Sequence, residues 1–208
     1  MLYEYLKEKY GENEPIILSD ICIEGLSMNT LRQQVKKLTD AGVLKRYDNG
    51  IYFIPGKSVF KSGSQLSIDK VITSKYLRDT QNTCGYISGI TFANQIGVTT
   101  QVPMVYEIVT NKATKDYRET SLAKTKIVLR KPRTCISDEN YKILQFLDLI
   151  REIDRIAEMS GDELTRRLLA YLKGMQLSFK DLEDYLEYYP DRIYKNLYET
   201  GLLNGISA

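Results

Sequence analysis

The stretch Gly25-Leu26-Ser27-Met28-Asn29-Thr30-Leu31-Arg32-Gln33-Gln34-Val35-Lys36-Lys37-Leu38 decides how this chain is read. Leu31, Val35 and Leu38 recur at i, i+4 and i+7 and so form the apolar stripe of an amphipathic helix. Ser27 is a good N-cap, and Gly25 supplies the positive φ that a tight turn ahead of the helix requires. The remaining positions carry Asn29, Thr30, Arg32, Gln33, Lys36 and Lys37, side chains able to donate to phosphates or base edges. Just downstream, Leu44-Lys45-Arg46-Tyr47-Asp48-Asn49-Gly50-Ile51-Tyr52-Phe53 alternates apolar and polar residues around an Asn-Gly turn, which predicts a hairpin. Lys45, Arg46 and Asn49 are expected to meet phosphates or the minor groove from that hairpin. A basic helix delivered by a short turn and trailed by a basic hairpin predicts a winged helix-turn-helix that binds duplex DNA. The competing reading is a small helical core whose polar face is merely solvated.

Upstream, Leu2, Leu6 and the tyrosines Tyr3, Tyr5 and Tyr10 predict a first helix ending near Gly11. Pro15 restarts the chain, and a short second helix is expected to open at Ser19 or Asp20 before the Glu24-Gly25 turn. Residues 1–57 thus form the winged module, and residues 58–66, with Lys61-Ser62-Gly63-Ser64, read as a linker.

Residues 67–208 read as a second domain, α+β to about residue 135 and helical over 137–208. Ser67 caps a helix through Ile68, Val71, Ile72 and Leu77. Residues 84–98 pass from an extended piece into a brief helix capped by Ser88 and stopped by Gly97. Strands are expected over 102–110 and 125–130, with 115–121 as a third. Later helices open at Ser137, Ser160, Ser178 and Asp191, and Gly201 ends the last. The predicted class is α+β: a winged helix-turn-helix, a small β-sheet and a C-terminal helical bundle.

The chain has 208 residues and a formal net charge of only +2, yet the charge is unevenly spread. Residues 1–26 carry −4, residues 27–57 carry +4, residues 58–135 carry +7 and residues 136–208 carry −5. Because phosphate neutralisation drives affinity, where the positive charge sits matters more than its total. The basic middle offers a possible partner surface of Lys75, Arg78, Lys112, Lys115, Arg118, Lys124, Lys126, Arg130, Lys131 and Arg133.

Enzymatic readings fare badly. No histidine is present, so Ser-His and Cys-His nucleophile systems and His-bound metals are excluded. Cys22, Cys84 and Cys135 lie far apart, which argues against a disulfide framework or zinc site; all three are expected to be small buried hydrophobes. Ser62-Gly63-Ser64 lacks the Gly-Lys-Ser/Thr of a phosphate loop, and Gly63-Ser64 with Asp69 lacks a nearby second carboxylate for a nucleotidyltransferase site. No catalysis, metal or cofactor is expected. No apolar run approaches the ~18–20 residues of a membrane span, and the start lacks a signal-peptide shape, so a cytoplasmic protein is expected.

Four further segments stand out beside the winged module: Gly85-Tyr86-Ile87-Ser88-Gly89, Ala93-Asn94-Gln95-Ile96-Gly97, Thr99-Thr100-Gln101-Val102-Pro103 and Ile108-Val109-Thr110-Asn111. In this order, and with the winged module, they resemble the AbiEi-type antitoxin and autorepressor of bacterial AbiE abortive-infection systems, which are type IV toxin–antitoxin pairs. The resemblance spans about residues 1–150 and implies two roles. The N-terminal domain would bind promoter inverted repeats and repress its own operon. The C-terminal domain would counter a nucleotidyltransferase-like toxin without a stable complex. Two other classes compete: a ligand-responsive winged-helix regulator with a small-molecule site in its C-terminal domain, and a pure interaction protein.

Overall fold

A computed structural model describes residues 2–57, 64–80 and 82–205. The chain divides into two compact units, Met1–Lys75 and Tyr76–Ala208. The helix read from Ser67 onward therefore falls largely in the first unit, and most of the expected linker, residues 58–63, lies outside the described residues.

In the first unit, helix α1 (Leu2–Tyr10) buries Leu2 and Leu6 and ends at Gly11, whose φ is +81°. Strand β1 (Ile16–Ile17) follows, then helix α2 (Met28–Asp40) and the hairpin β2 (Lys45–Asp48) and β3 (Ile51–Phe53). The sheet order is β1–β3–β2, antiparallel throughout, with Ile17 opposite Ile51 and Lys45 opposite Phe53. Leu2, Leu6, Ile16, Ile21, Leu31, Val35, Leu44 and Ile54 close the core. Each such buried aliphatic side chain contributes about 1.5–3 kcal/mol. Asn13 ties the ends of the unit together: its side-chain oxygen accepts from Gly56 N at 3.0 Å, and its carbonyl accepts from Lys70 Nζ at 3.1 Å. Lys70 belongs to α3 (Ile68–Ile72), capped by Ser67, whose hydroxyl accepts from Asp69 N.

The expected second helix does not form. Leu18–Asp20 makes a single 3-10 turn, and residues 21–27 carry no helix. Ile16 and Ile17 pair with β3, and Leu18 N still donates to Gly50 O at 2.9 Å, so the chain leaves the sheet late. Between that exit and the Gly25 turn, at φ +76°, only a short segment with β-branched Ile21 and Ile23 remains, too little to nucleate a helix.

The second unit is built on a four-stranded sheet of β6 (Gly85–Ser88), β7 (Val105–Thr110), β8 (Tyr117–Leu122) and β9 (Thr125–Arg130). A two-stranded pair, β4 (Arg78–Asp79) and β5 (Asn82–Thr83), precedes it; the sequence gives no strand signal there. The sheet order is β6–β7–β9–β8, with β7 and β9 parallel and the other pairs antiparallel. Helix α4 (Gly89–Gln95) connects β6 to the loop before β7, and α5 (Tyr141–Ile156) packs on both β6 and α4. Helices α6 (Gly161–Met175), α7 (Phe179–Leu186), α8 (Arg192–Glu199) and α9 (Leu202–Gly205) complete the core with α5. Phe146 is fully buried and stacks on Tyr171, ring centroids 5.7 Å apart.

Two further expectations are corrected here. Helix α5 begins at Tyr141, not Ser137, because the Asn140 side chain closes the preceding turn: it accepts from Ser137 N at 2.8 Å and donates to Cys135 O at 2.9 Å. Of the cysteines only Cys84 is buried, whereas Cys22 and Cys135 are exposed, each in irregular chain away from the apolar stripes.

Candidate nucleic-acid interface

Helix α2 is held at its start by Ser27, whose hydroxyl accepts from Thr30 N at 3.2 Å. Leu31 and Val35 are buried and Leu38 is half-buried, so the stripe read from the sequence is the packed face. Asn29, Thr30, Arg32, Gln33, Lys36 and Lys37 are all exposed. Asn29, Arg32, Gln33 and Lys36 share one side at i, i+3, i+4 and i+7. Thr30 is engaged locally, its hydroxyl 2.9 Å from that of Ser27.

In the hairpin, Gly50 adopts φ +72° and the ladder slips between Arg46 and Asp48, which twists the tip. Arg46 and Asn49 are exposed and Lys45 is half-buried. Arg46 Nη2 donates to Asn49 Oδ1 at 3.2 Å and Nε to Asp48 O at 3.3 Å, a tie that the sequence does not announce. Arg32 and Asn49 line a cleft of about 260 Å³ floored by Ile17 and Ile51. Lys75, read from the sequence as part of the basic middle, lines this same cleft. On a second concavity of about 530 Å³, Lys45 and Arg46 meet Thr39, Leu44, Phe53 and Leu66.

The remaining residues of the basic middle belong to the second unit: Arg78 is exposed in β4, and the other eight divide into two groups. Arg130 pairs with Glu107 at 3.3 Å and lies over the Tyr117 ring at 5.1 Å. Arg133 lies over Tyr189 at 5.0 Å and donates to Tyr188 O, Lys131 is 4.0 Å from Asp116, and Lys112 donates to Arg78 O. These four cations each have a partner within the second unit. Lys115, Arg118, Lys124 and Lys126 are exposed around the β8–β9 hairpin.

Within the second unit, the segments that carry the resemblance lie together on β6, α4, β7 and the loops that follow α4 and β7. Gly85 pairs with Thr110 and Ile87 with Ile108 across β6 and β7, and α4 packs on both strands. Asn94 Nδ2 donates to Gln101 O at 3.1 Å, and Asn111 Nδ2 to Ile136 O at 2.9 Å. A Cβ at Gly85 would stand 2.5 Å from Tyr76 O, so this glycine is a packing requirement. Beneath this layer Tyr86 donates to the buried Asp148 carboxylate at 2.7 Å, and Arg151 lies 3.9 Å from the same group. Burial pushes the Asp148 carboxyl above its usual range against the pull of Arg151, and pushes the Tyr86 phenol well up. Among the described residues no group of three His, Cys, Asp or Glu stands together as a metal site, and no helix is long and apolar enough to cross a membrane.

The geometry defines a two-unit α+β protein that presents a cationic helix and hairpin on its first unit. The chain belongs to DUF6088, a family of unknown function whose model matches residues 4–167. No curated protein matches it.

Proposed function

We propose that this protein is a DNA-binding autorepressor and antitoxin, whose first unit reads promoter inverted repeats as a winged helix-turn-helix. One observation carries the reading: a Ser27-capped helix buries Leu31 and Val35 and exposes Asn29, Arg32, Gln33 and Lys36 beside a hairpin bearing Arg46. The strand order β1–β3–β2, with α2 between β1 and β2, supports it further, since this is how a winged module closes its hairpin on the strand before the recognition helix. In this reading the 3-10 turn Leu18–Asp20 takes the place of the usual second helix. The antitoxin half rests on the resemblance to the AbiE system, whose segments cluster at β6, α4 and β7 of the second unit. Its functional partner would be a nucleotidyltransferase-like toxin, with no stable complex between them.

The test is a reporter fused to the region upstream of the protein's own gene, together with a growth assay against the product of the adjacent gene. Repression that Arg32→Ala abolishes, and growth rescue by the full chain, are the expected results. Repression unaffected by Arg32→Ala removes the DNA-reading role of α2, and failure of rescue removes the antitoxin role.

A further inference from the structure

The four-stranded sheet of the second unit ends on β8, which pairs with β9 alone among the described residues. The opposite edge, β6, runs straight into α4 and is packed by α5. Strand β8 is six residues long, keeps an unbroken register with β9 and holds no proline, so nothing bends this edge away from a second strand. Its charges, Arg118 and Glu119, cancel, and Tyr117, Arg118, Glu119 and Ser121 are all exposed. Leu122 and Thr125 close a two-residue turn and so exchange both ladder bonds. By alternation Thr120 and Arg118 also bond to β9, and the backbone N–H and C=O groups of Tyr117, Glu119 and Ser121 point outward.

We infer that β8 is the pairing edge for a second copy of this chain, which joins it antiparallel about a two-fold axis and continues the sheet through both copies. The charges select this partner and its register. In such a pair, residues of the same sheet face stand opposite one another. An axis at Arg118 opposes two arginines, and one at Glu119 opposes two glutamates. An axis at Thr120 opposes two threonines and sets Glu119 against the partner's Ser121 at both ends. Lys126 lies across from Ser121 on β9, on the same face. The partner's Glu119 then stands two strand spacings from Lys126, roughly 10 Å, and the two long side chains meet over the small Ser121. Glu119 accepts from the Tyr117 hydroxyl through Oε1, which leaves Oε2 for that contact. One six-residue strand is a short interface beside the roughly 1,200–2,000 Å² of a stable complex, so the association is weak and concentration-dependent. The inference goes beyond the DNA-binding reading and stands without it.

The experiment is sedimentation equilibrium of the full chain, without DNA, across a concentration series. The wild type is expected to rise from 24.0 kDa toward twice that mass. Glu119→Pro removes an outward N–H and keeps the ladder to β9, so it should raise the dimer dissociation constant at least about tenfold. Glu119→Lys and Lys126→Glu each bring like charges together and should weaken the dimer several-fold. The double variant restores opposite charges and should regain most of the wild-type association, which a merely misfolded single variant would not explain. A wild type that stays at 24.0 kDa throughout overturns the inference and leaves the edge to a strand from another protein. So does a dimer that all three single variants leave intact, since another surface then holds it. A double variant no better than the single ones overturns it too. None of these results bears on the DNA-binding reading, which duplex titrations test separately.

Discussion

Arg46 Nη2 reaches across the hairpin turn to Asn49 Oδ1 at 3.2 Å, while its Nε donates to Asp48 O. The guanidinium is therefore held in place before any partner arrives, which lowers the entropy lost on binding. Arg46→Ala is expected to weaken binding to all duplexes and to flatten the salt dependence by about one. Asn49→Ala should weaken it less, and the double variant should lose less than the two single losses combined, because the residues act as a unit. A double-mutant cycle in DNA titrations checks this; strict additivity contradicts it.

The hydrogen bond from Tyr86 to Asp148 sits in the core of the second unit. Tyr86→Phe removes the donor and is expected to cost about 1–3 kcal/mol in stability, read by denaturant unfolding.

Asp148 also sets a pH dependence. Its folded pKa is raised above the ordinary 3.8 by burial, so between those two values the folded state binds more protons than the unfolded chain. Its contribution to stability therefore falls as pH rises through that window and is recovered on acidification. Asp148→Asn, which can still accept from Tyr86, should remove this component from a stability–pH profile. An identical profile in the variant contradicts the assignment.

At Gly85 a methyl group would meet Tyr76 O at 2.5 Å and Val109 O at 2.9 Å, both backbone atoms. Gly85→Ala is thus expected to lower stability by about 1–3 kcal/mol, with a lower Tm. A Tm equal to that of the wild type would show that β6 shifts without strain.

The two proposed activities should separate. Full-chain Arg32→Ala combined with Lys36→Ala changes two exposed residues of α2, so it should lose promoter repression while keeping growth rescue. Loss of both at normal protein levels would tie the antitoxin role to DNA binding.

The elements legible in the sequence were those whose signals agree locally. Ser27, the Leu31–Val35–Leu38 spacing and the Asn49-Gly50 turn place α2 and the hairpin, and Thr125–Arg130 is read to the residue. What escaped was set by tertiary pairing. Ile16 and Ile17 become a strand only because β3 lies beside them, and that pairing also removes the expected second helix. The start of α5 moved because the Asn140 side chain competes for the turn. Lys75 carried no sequence signal for the Arg32 cleft, since no motif links a π turn after α3 to a residue in α2. The Arg46–Asn49 tie escaped because side-chain pairing across a turn depends on the bulge.

The most direct test of the central claim is a quantitative titration of wild-type protein and Arg32→Ala with the duplex from the protein's own upstream region and its shuffled counterpart. Arg32 is exposed on α2, so its loss should leave the fold intact. The account predicts preferential wild-type binding to the upstream duplex and a loss of about 1–3 kcal/mol for Arg32→Ala on that duplex, with a much smaller loss on the shuffled one. Equal wild-type affinity for both duplexes, or no loss on replacing Arg32, would contradict it.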